Sequence, residues 1–569
     1  MQISKIHIEN YRSIKVLDLY PRNYCALIGE NNAGKSNILK AINLVLGEMW
    51  PTDRTFTPED FHGHKTEQDI VIQVYFDTPV ETWKNMSLKV YGFELRGRAY
   101  KRAHKGMPKG TLTVDYTCIN AKGETVRYPA EPLQEGKQIK SWYDLKVSKE
   151  LKDNIPFIYV DILRDYHRHD PSNRWSVLRK LLNYVNTGIA NDKATVKVLT
   201  ADGELKMTRK QAFEYRLGEA YGYLKTPDFM AIEDKIRSNT LDQMGINPGQ
   251  GEVSIRFAAY DPVNVFKNLQ LFVDQMGISS SADMVGAGLQ SAIVIAIFRT
   301  YEEIKKDGAV FAIEGPEVFL HPQKERYFHE VLHSISTNNQ VFITTHSPEF
   351  VCLSRPEEVG LIRRSELEGT KAIQCTEEQI GETVKKELAL QNFFDTQRHE
   401  MLFAKGLILV VGATEKHFMP FVASRVGLNL NQYGISVIDC GEKGNLLLYA
   451  RVADAFRIPY VIITDNDIVS VPGMDVPDKL AEIRTANTNH SSINQSLREG
   501  IEAGHLFWLC PDFAAEIGLS KDADSKLKSA LEYINAQETA AIPTALVLPI
   551  RKIVELANPS SSMPGLGLE

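Results

Sequence analysis

The chain has 569 residues, 43% apolar and 24% charged, ordinary globular values that exclude a disordered, collagen-like or disulfide-scaffold protein. At roughly 150 residues per domain, that length predicts three or four domains. With 65 Lys and Arg against 72 Asp and Glu, the net charge of −7 does not advertise nucleic acid, although a local basic stripe remains open. No apolar run approaches the roughly 18 residues of a membrane span. Met1 to Ile8 alternates like a strand and lacks the apolar core of a signal peptide. The six cysteines are scattered with no C-x-x-C pair, so the expectation is a reduced, cytoplasmic protein with no membrane partner.

Ile3, Ile6 and Ile8 open the chain as a strand, and Tyr24 to Ile28 forms a second apolar strand before a Gly/Asn turn and the helix Ser36 to Leu46. The turn, Gly29-Glu-Asn-Asn-Ala-Gly34-Lys35-Ser36, fits G-x-x-x-x-G-K-[ST] between a strand and a helix, the context a phosphate loop needs. Its glycines let backbone N–H groups face phosphates, Lys35 neutralises the β/γ oxygens and Ser36 holds Mg²⁺. The nucleotide-contacting set is therefore Gly29, Asn31, Asn32, Gly34, Lys35, Ser36 and Asn37. From Ile70 to Cys118 the period is two, as in a β-meander. Arg96 to Lys109 carries six Lys/Arg and no acid, with Tyr100 among them. It reads as a salt-dependent phosphate grip or as an exposed hairpin with solvated charges.

Between Pro171 and Gly251 the pattern turns helical, with Trp175, Leu178, Leu181, Leu182 and Val185 at i, i+3, i+4 spacing. Strand character returns at Val253 to Phe257. Gly286-Ala-Gly288-Leu-Gln290 is a glycine turn ahead of an apolar helix, placed to aim a helix N-terminus at the γ-phosphate of a second subunit's ATP. The strand Ala309 to Ile313 ends in Glu314-Gly315-Pro316-Glu317, and Gln340 to Thr344 ends in Thr345-His346-Ser347. An acid at Glu314 suits metal holding, and His346 suits γ-phosphate sensing.

After a charged connector around Glu382 to Glu387, strands Gly406 to Val411, Ser436 to Ile438 and Tyr460 to Thr464 alternate with helical stretches, which predicts a parallel sheet with ligands at its carboxyl ends. Asp465-Asn-Asp467 stands at one such end. Glu415, Asp439 and Glu516 are further acids, and carboxylate oxygens are what Mg²⁺ or Mn²⁺ prefers. Alone, D-x-D is a weak signal, equally readable as a solvated strand-end turn.

The succession Asn10-Tyr-Arg-Ser13, Gly29 to Ser36, Gly286 to Gln290, Glu314-x-Pro-Glu317 and Thr345-His346-Ser347 resembles the ABC-type ATPase heads of the RecF and SMC group. The resemblance implies two heads sandwiching ATP. Glu415, Gly441-Glu-Lys-Gly-Asn445 and Asp465-x-Asp467 resemble a Toprim domain. A Toprim behind an ABC head resembles the overcoming-lysogenization-defect family of nucleases over nearly the whole chain, Arg164-Asp165 included.

The fold class implied is α/β: an ABC-type P-loop ATPase head with a helical insertion, plus a C-terminal Toprim domain with a Rossmann-like parallel sheet. The parts are a head from 1–170 and 251–395, a helical dimerisation insertion at 171–250, the Toprim at 396–557 and a flexible tail at 558–569. The resemblance further implies an ATP-controlled, divalent-metal-dependent DNA endonuclease of antiphage defence, working as a dimer or tetramer, alone or beside a helicase or reverse transcriptase. Glu415, Asp465, Asp467 and Lys552 are its catalytic set, with Arg551 competing for the lysine's place. Ser36, Glu314, Glu415, Asp465, Asp467 and Glu516 are its metal set, and Glu314, His346 and Gly288 complete its nucleotide set.

Three positions depart from these families. Gly315 replaces the head's general base, Ala287 replaces a serine in the signature turn, and Val411 replaces the first Toprim glutamate. Gly315 and Val411 are expected to weaken catalysis, either in a disabled version of a toxic nuclease or in a naturally degenerate copy. They also keep open a non-cleaving, ATP-gated DNA clamp or sensor that recruits a partner.

Overall fold

The computed structural model describes residues 1–81, 88–100, 110–129, 141–161, 176–200, 203–243, 269–275, 277–305, 308–376, 378–392, 396–468, 477–519, 526–537 and 541–558. The chain divides into two compact units, Met1–Ile162 with Asp307–Glu569, and Leu163–Lys306.

The first unit contains an eleven-stranded sheet. Its order from edge to edge is Leu112–Ile119, Lys89–Ala99, Ile70–Glu81, Ile3–Tyr11, Ile14–Leu19, Gly369–Gln374, Val359–Ser365, Tyr24–Gly29, Gln340–Thr344, Val310–Glu314 and Phe157–Val160. The expected meander is present: Ile70–Glu81, Lys89–Ala99 and Leu112–Ile119 pair antiparallel in succession. The other half is parallel, with Tyr24–Gly29 between Gln340–Thr344 and Val359–Ser365.

All six residues of Tyr24–Gly29 are buried, as are all five of Val310–Glu314 and of Gln340–Thr344. Such unbroken apolar runs mark strands covered on both faces. The helix Lys35–Leu46 lays Ile38, Leu39, Ile42, Val45 and Leu46 on the sheet, each fully or almost fully buried. At about 1.5–3 kcal/mol per buried large aliphatic side chain, this face fixes the helix whose first turn must meet the nucleotide.

A second sheet in the same unit orders Ile435–Asp439, Gly406–Val410, Tyr460–Asp465 and Leu506–Leu509, all parallel. Ile408, Val410, Val461 and Ile463 pack with Phe418 and Val422 of the helix Ala413–Arg425 and with Ile550 and Ile553 of the helix Thr544–Ala557. The connector predicted around Glu382 to Glu387 is the helix Glu382–Asn392.

The second unit contains helices Val177–Asn191, Arg209–Gly222, Pro227–Gln243 and Ala287–Lys305 and two hairpins. The expected helical insertion also carries strands. Thr195–Thr200 and Gly203–Thr208 form an antiparallel pair, because Thr-Val-Lys-Val is β-branched and alternates. Thr208 then caps the next helix, with Gln211 answering its backbone in a capping box. The expected strand at Val253 to Phe257, Arg164-Asp165, the basic residues 101–109 and nearly all of the 558–569 tail lie outside the described residues.

Candidate functional site

The first centre grows from the turn after Tyr24–Gly29. Gly29 has φ 137°, and a Cβ there would lie 2.1 Å from the Ile362 carbonyl oxygen of the neighbouring strand, so only glycine lets the loop leave the sheet. Gly34, at φ 110°, is wedged between the hydroxyls of Thr370 and Ser13. Thr370 donates to the Ala33 carbonyl at 2.8 Å, and the Asn37 amide donates to Ser13 Oγ at 2.8 Å. These contacts hold the loop in its nest from behind.

Lys35 is 6% exposed, and its ammonium donates to the Gly29 and Glu30 carbonyls at 2.8 and 2.9 Å. Burial lowers its pKa to about 8, against the opposing pull of Glu317 and Glu30. A cavity of about 310 Å³ lies beside it, lined by Lys35, Ser36, Glu314, Glu317 and His346 among others. Glu314 is 5% exposed and accepts a 2.8 Å hydrogen bond from Tyr159, and Ser36 also bonds to its carboxylate. Burial raises its pKa, and these hydroxyls oppose the rise. A P-loop hydroxyl beside the acid that ends another parallel strand of the sheet is the pairing that holds Mg²⁺ in P-loop NTPases.

Glu317 is a residue the sequence reading quoted without giving it a task. Its carboxylate accepts from Thr345 Oγ1 at 2.9 Å and from the His346 backbone N–H at 2.8 Å. Burial, followed by the Lys35 charge, lowers the His346 pKa and favours the neutral ring, while Glu317 opposes this. Gly315 has φ 54°, the left-handed region, and donates its N–H to the Thr344 carbonyl at 2.8 Å. Gly288 belongs to the other unit, in the first turn of Ala287–Lys305.

The second centre lies at the carboxyl ends of the smaller sheet. Asp465 ends its strand, and Phe513 donates its backbone N–H to Asp465 Oδ1 at 2.8 Å. Burial, then the charges of Asp467 and Glu415, push the Asp465 pKa up to about 7. Glu415, in the first turn of Ala413–Arg425, is also raised, first by burial and further by Asp439. Asp465 therefore feels both of the other sequence-predicted acids.

Glu516 closes the short helix Phe513–Glu516, whose buried N-cap, Asp512, is the acid of this loop that presses on Asp465. Lys552 pairs with Glu555 at 3.7 Å on its own helix. The lysine in contact with the carboxylates is Lys443, whose side chain is 8% exposed. It donates to the Asp465 carbonyl, stands 3.3 Å from Asp467 Oδ2 and lies 5.5 Å from the Trp508 ring centroid. Its sequence signal was the Gly441 to Asn445 turn.

Among the described residues, no three His, Cys, Asp or Glu side chains stand close enough together to share a metal ion. The donor chemistry nevertheless fits a hard divalent cation: oxygen donors only, half-buried, with Asp465 repelled by both of the others. Val411, between the buried strand end and the Gly412 N-cap, adds no oxygen.

The basic stripe is neutralised where it is described. Arg96 bonds Glu94 at 2.8 Å and Asp69 at 3.4 Å, and Arg98 pairs with Asp115 at 3.3 Å. No helix among the described residues is long and apolar enough to cross a membrane.

A phosphate loop on a mixed sheet, joined in one unit to a parallel sheet ending in carboxylates, defines a P-loop ATPase fused to a Toprim domain. The chain belongs to the AAA ATPase domain family, whose model matches residues 1–351, and residues 402–467 match the overcoming lysogenization defect protein-like TOPRIM domain. It is 27% identical to an OLD nuclease of Thermus scotoductus over 98% of this chain and 99% of that one. It is 24% identical to the Old nuclease of Escherichia phage P2 over 83% of this chain and 78% of that one. It is likewise 24% identical to the endonuclease GajA of Bacillus cereus over 83% and 76%.

Proposed function

We propose that the chain is an ATP-binding, divalent-metal-dependent DNA endonuclease of the overcoming-lysogenization-defect type, acting in the cytoplasm in antiphage defence as a homo-oligomer of heads. The observation that carries the reading is the strand-end group of Glu415, Asp465 and Asp467, where burial and then the charges of Asp467 and Glu415 push the Asp465 pKa up to about 7, a strain that a cation would relieve. The relatives' names supply the substrate class, since they are nucleases and endonucleases. Holding Mg²⁺ or Mn²⁺ would require these three acids to draw closer together than they stand here, and the ion would then supply Lewis-acid stabilisation of a phosphodiester. Lys443 orients Asp467, the Phe513 N–H orients Asp465, and Asp512 keeps the loop negative. At the ATP site Lys35 holds phosphate, Ser36 and Glu314 hold the nucleotide's Mg²⁺, and His346 reads the γ-phosphate. Exposed Tyr184, Leu199, Tyr223, Leu224 and Ile232 on the second unit support a subunit interface there.

A second reading, an ATP-gated DNA clamp that recruits a partner, is favoured by Val411 and by the lack of three converging ligands among the described residues. Cleavage of supercoiled and linear DNA with Mg²⁺ or Mn²⁺, comparing this chain with Val411→Glu, separates the two. Cutting by the variant alone identifies an impaired nuclease, and cutting by both removes the weight placed on Val411. If neither cuts while both bind DNA, the clamp reading replaces the nuclease.

A further inference from the structure

A second cavity, of about 700 Å³, lies where the head meets the Toprim domain. It shares only Asn31 and Asn32 with the cavity beside Lys35, so the phosphate loop stands between the two. The head contributes the outer flank of the loop and the strand Val359–Ser365, with Arg363 and Arg364. The Toprim side contributes Phe403, Lys405 and Leu556.

The charges on this wall do not balance. Glu30 is already paired with Lys405 at 2.9 Å. Arg363 is half-buried, and burial holds its guanidinium below its ordinary pKa, with Glu30 the carboxylate that opposes this. Among the described residues neither the Arg363 nor the Arg364 side chain has a hydrogen-bond partner. Three cations, Arg363, Arg364 and Lys405, thus face two carboxylates, Glu30 and Glu366, an excess of one positive charge in a concave and partly desolvated place. A guanidinium fork matches phosphate oxygens in geometry as well as charge. Phe403 and Leu556 add an apolar wall, the complement of a base or ribose. The cavity has the volume of a small-molecule site, with a mixed lining in which placed charges stand beside apolar side chains.

We propose that this cavity is a second nucleotide site, distinct from the phosphate loop, in which Arg363 and Arg364 hold the phosphate of a nucleoside monophosphate and Phe403 and Leu556 hold its base end. The site goes beyond the nuclease reading and does not depend on DNA cleavage. An occupant would touch Lys405, which leads directly into Gly406–Val410, the strand that ends at Val411 and Gly412.

AMP is the probe, because its single phosphate gives Lys35 and Ser36 little to hold. The full chain is titrated calorimetrically with AMP and, separately, with a non-hydrolysable ATP analogue. The expected result is one AMP site per chain, unchanged in Lys35→Ala and weakened at least tenfold in Arg363→Ala with Arg364→Ala. Arg363→Lys keeps the charge and retains binding within a few-fold, which separates lost recognition from lost folding. Loss of AMP binding in Lys35→Ala with retention in the arginine variant would make the cavity the outer end of the ATP site and overturn the proposal. Absence of AMP binding while the ATP analogue still binds would overturn it equally. Ribose 5-phosphate or inorganic phosphate binding as tightly as AMP would overturn the nucleotide assignment.

Discussion

Lys443→Met tests how the Toprim acids are held in the absence of metal. Lys443 is the lysine in contact with Asp467 and with the Asp465 carbonyl, and its side chain is 8% exposed. A hydrogen bond involving a charged group is worth about 1.5–3 kcal/mol, and the Asp467 partner is 29% exposed, so the lower end of that range applies. Met keeps most of the packing against Trp508, which leaves a predicted loss of about 2 kcal/mol.

The loss depends on pH with a defined sign. The Asp465 pKa is raised from its ordinary 3.8 to about 7, so its ionised form is disfavoured in the fold. That destabilisation is absent below the unfolded pKa, grows between about pH 4 and 7, and is complete above 7. Removing Lys443 raises the Asp465 pKa further and extends the penalty upward. The variant therefore loses more stability at pH 8 than at pH 5, and millimolar Mg²⁺ at pH 8 restores part of it. The assay is denaturant melting at the two pH values with and without Mg²⁺, alongside hydrogen exchange of Tyr460–Asp465. An equal loss at both pH values, with no effect of Mg²⁺, would refute the electrostatic account.

Three further outcomes follow from the head. Gly29→Ala forces a Cβ to 2.1 Å from the Ile362 carbonyl at φ 137°, so it costs about 3 kcal/mol and abolishes ATP-analogue binding; unchanged melting would contradict the close approach. Lys35, with its pKa near 8, is charged below that pH but must take up a proton on binding phosphate above it. Affinity for an ATP analogue is therefore flat from pH 6.5 to 7.5 and falls toward tenfold per unit above 8, a slope that a series of Kd measurements reads directly. Gly315→Glu places a side chain at φ 54° and destabilises by about 1 kcal/mol, whereas Gly315→Asn costs less because Asn tolerates the left-handed region; equal losses for both, in denaturant melts, would count against strain.

The parts of the site that were legible in the sequence are those made of consecutive residues. Gly29 to Ser36 carries its own strand, turn and helix start, and the whole nest forms within eight residues. Glu314, His346, Asp465 and Glu415 were found because parallel strands end where ligands bind, and a strand end can be read from an apolar run followed by an acid. The residues that escaped act across the chain. Tyr159 reaches Glu314 over 155 residues, Glu317 reaches the His346 backbone over 29, and Lys443 reaches Asp467 over 24. Position along the chain carries no sign of such a contact, because sheet order and helix packing bring its ends together.

The amino-acid sequence by itself determined the class of chemistry: a phosphate loop, carboxylates at strand ends, and the missing side chains at Gly315 and Val411. These are local facts, since the needed geometry is set by a few neighbouring dihedral angles and by which functional groups exist. Tertiary structure alone decided which charges meet. It paired Arg96 and Arg98 with Glu94, Asp69 and Asp115, turned Lys552 toward Glu555, and set Lys443 under the Asp465 loop. It also left Arg363 and Arg364 facing a cavity between two domains whose residues lie far apart in the chain. A charge acts through distance and desolvation, and both are properties of the packed fold rather than of the order of residues.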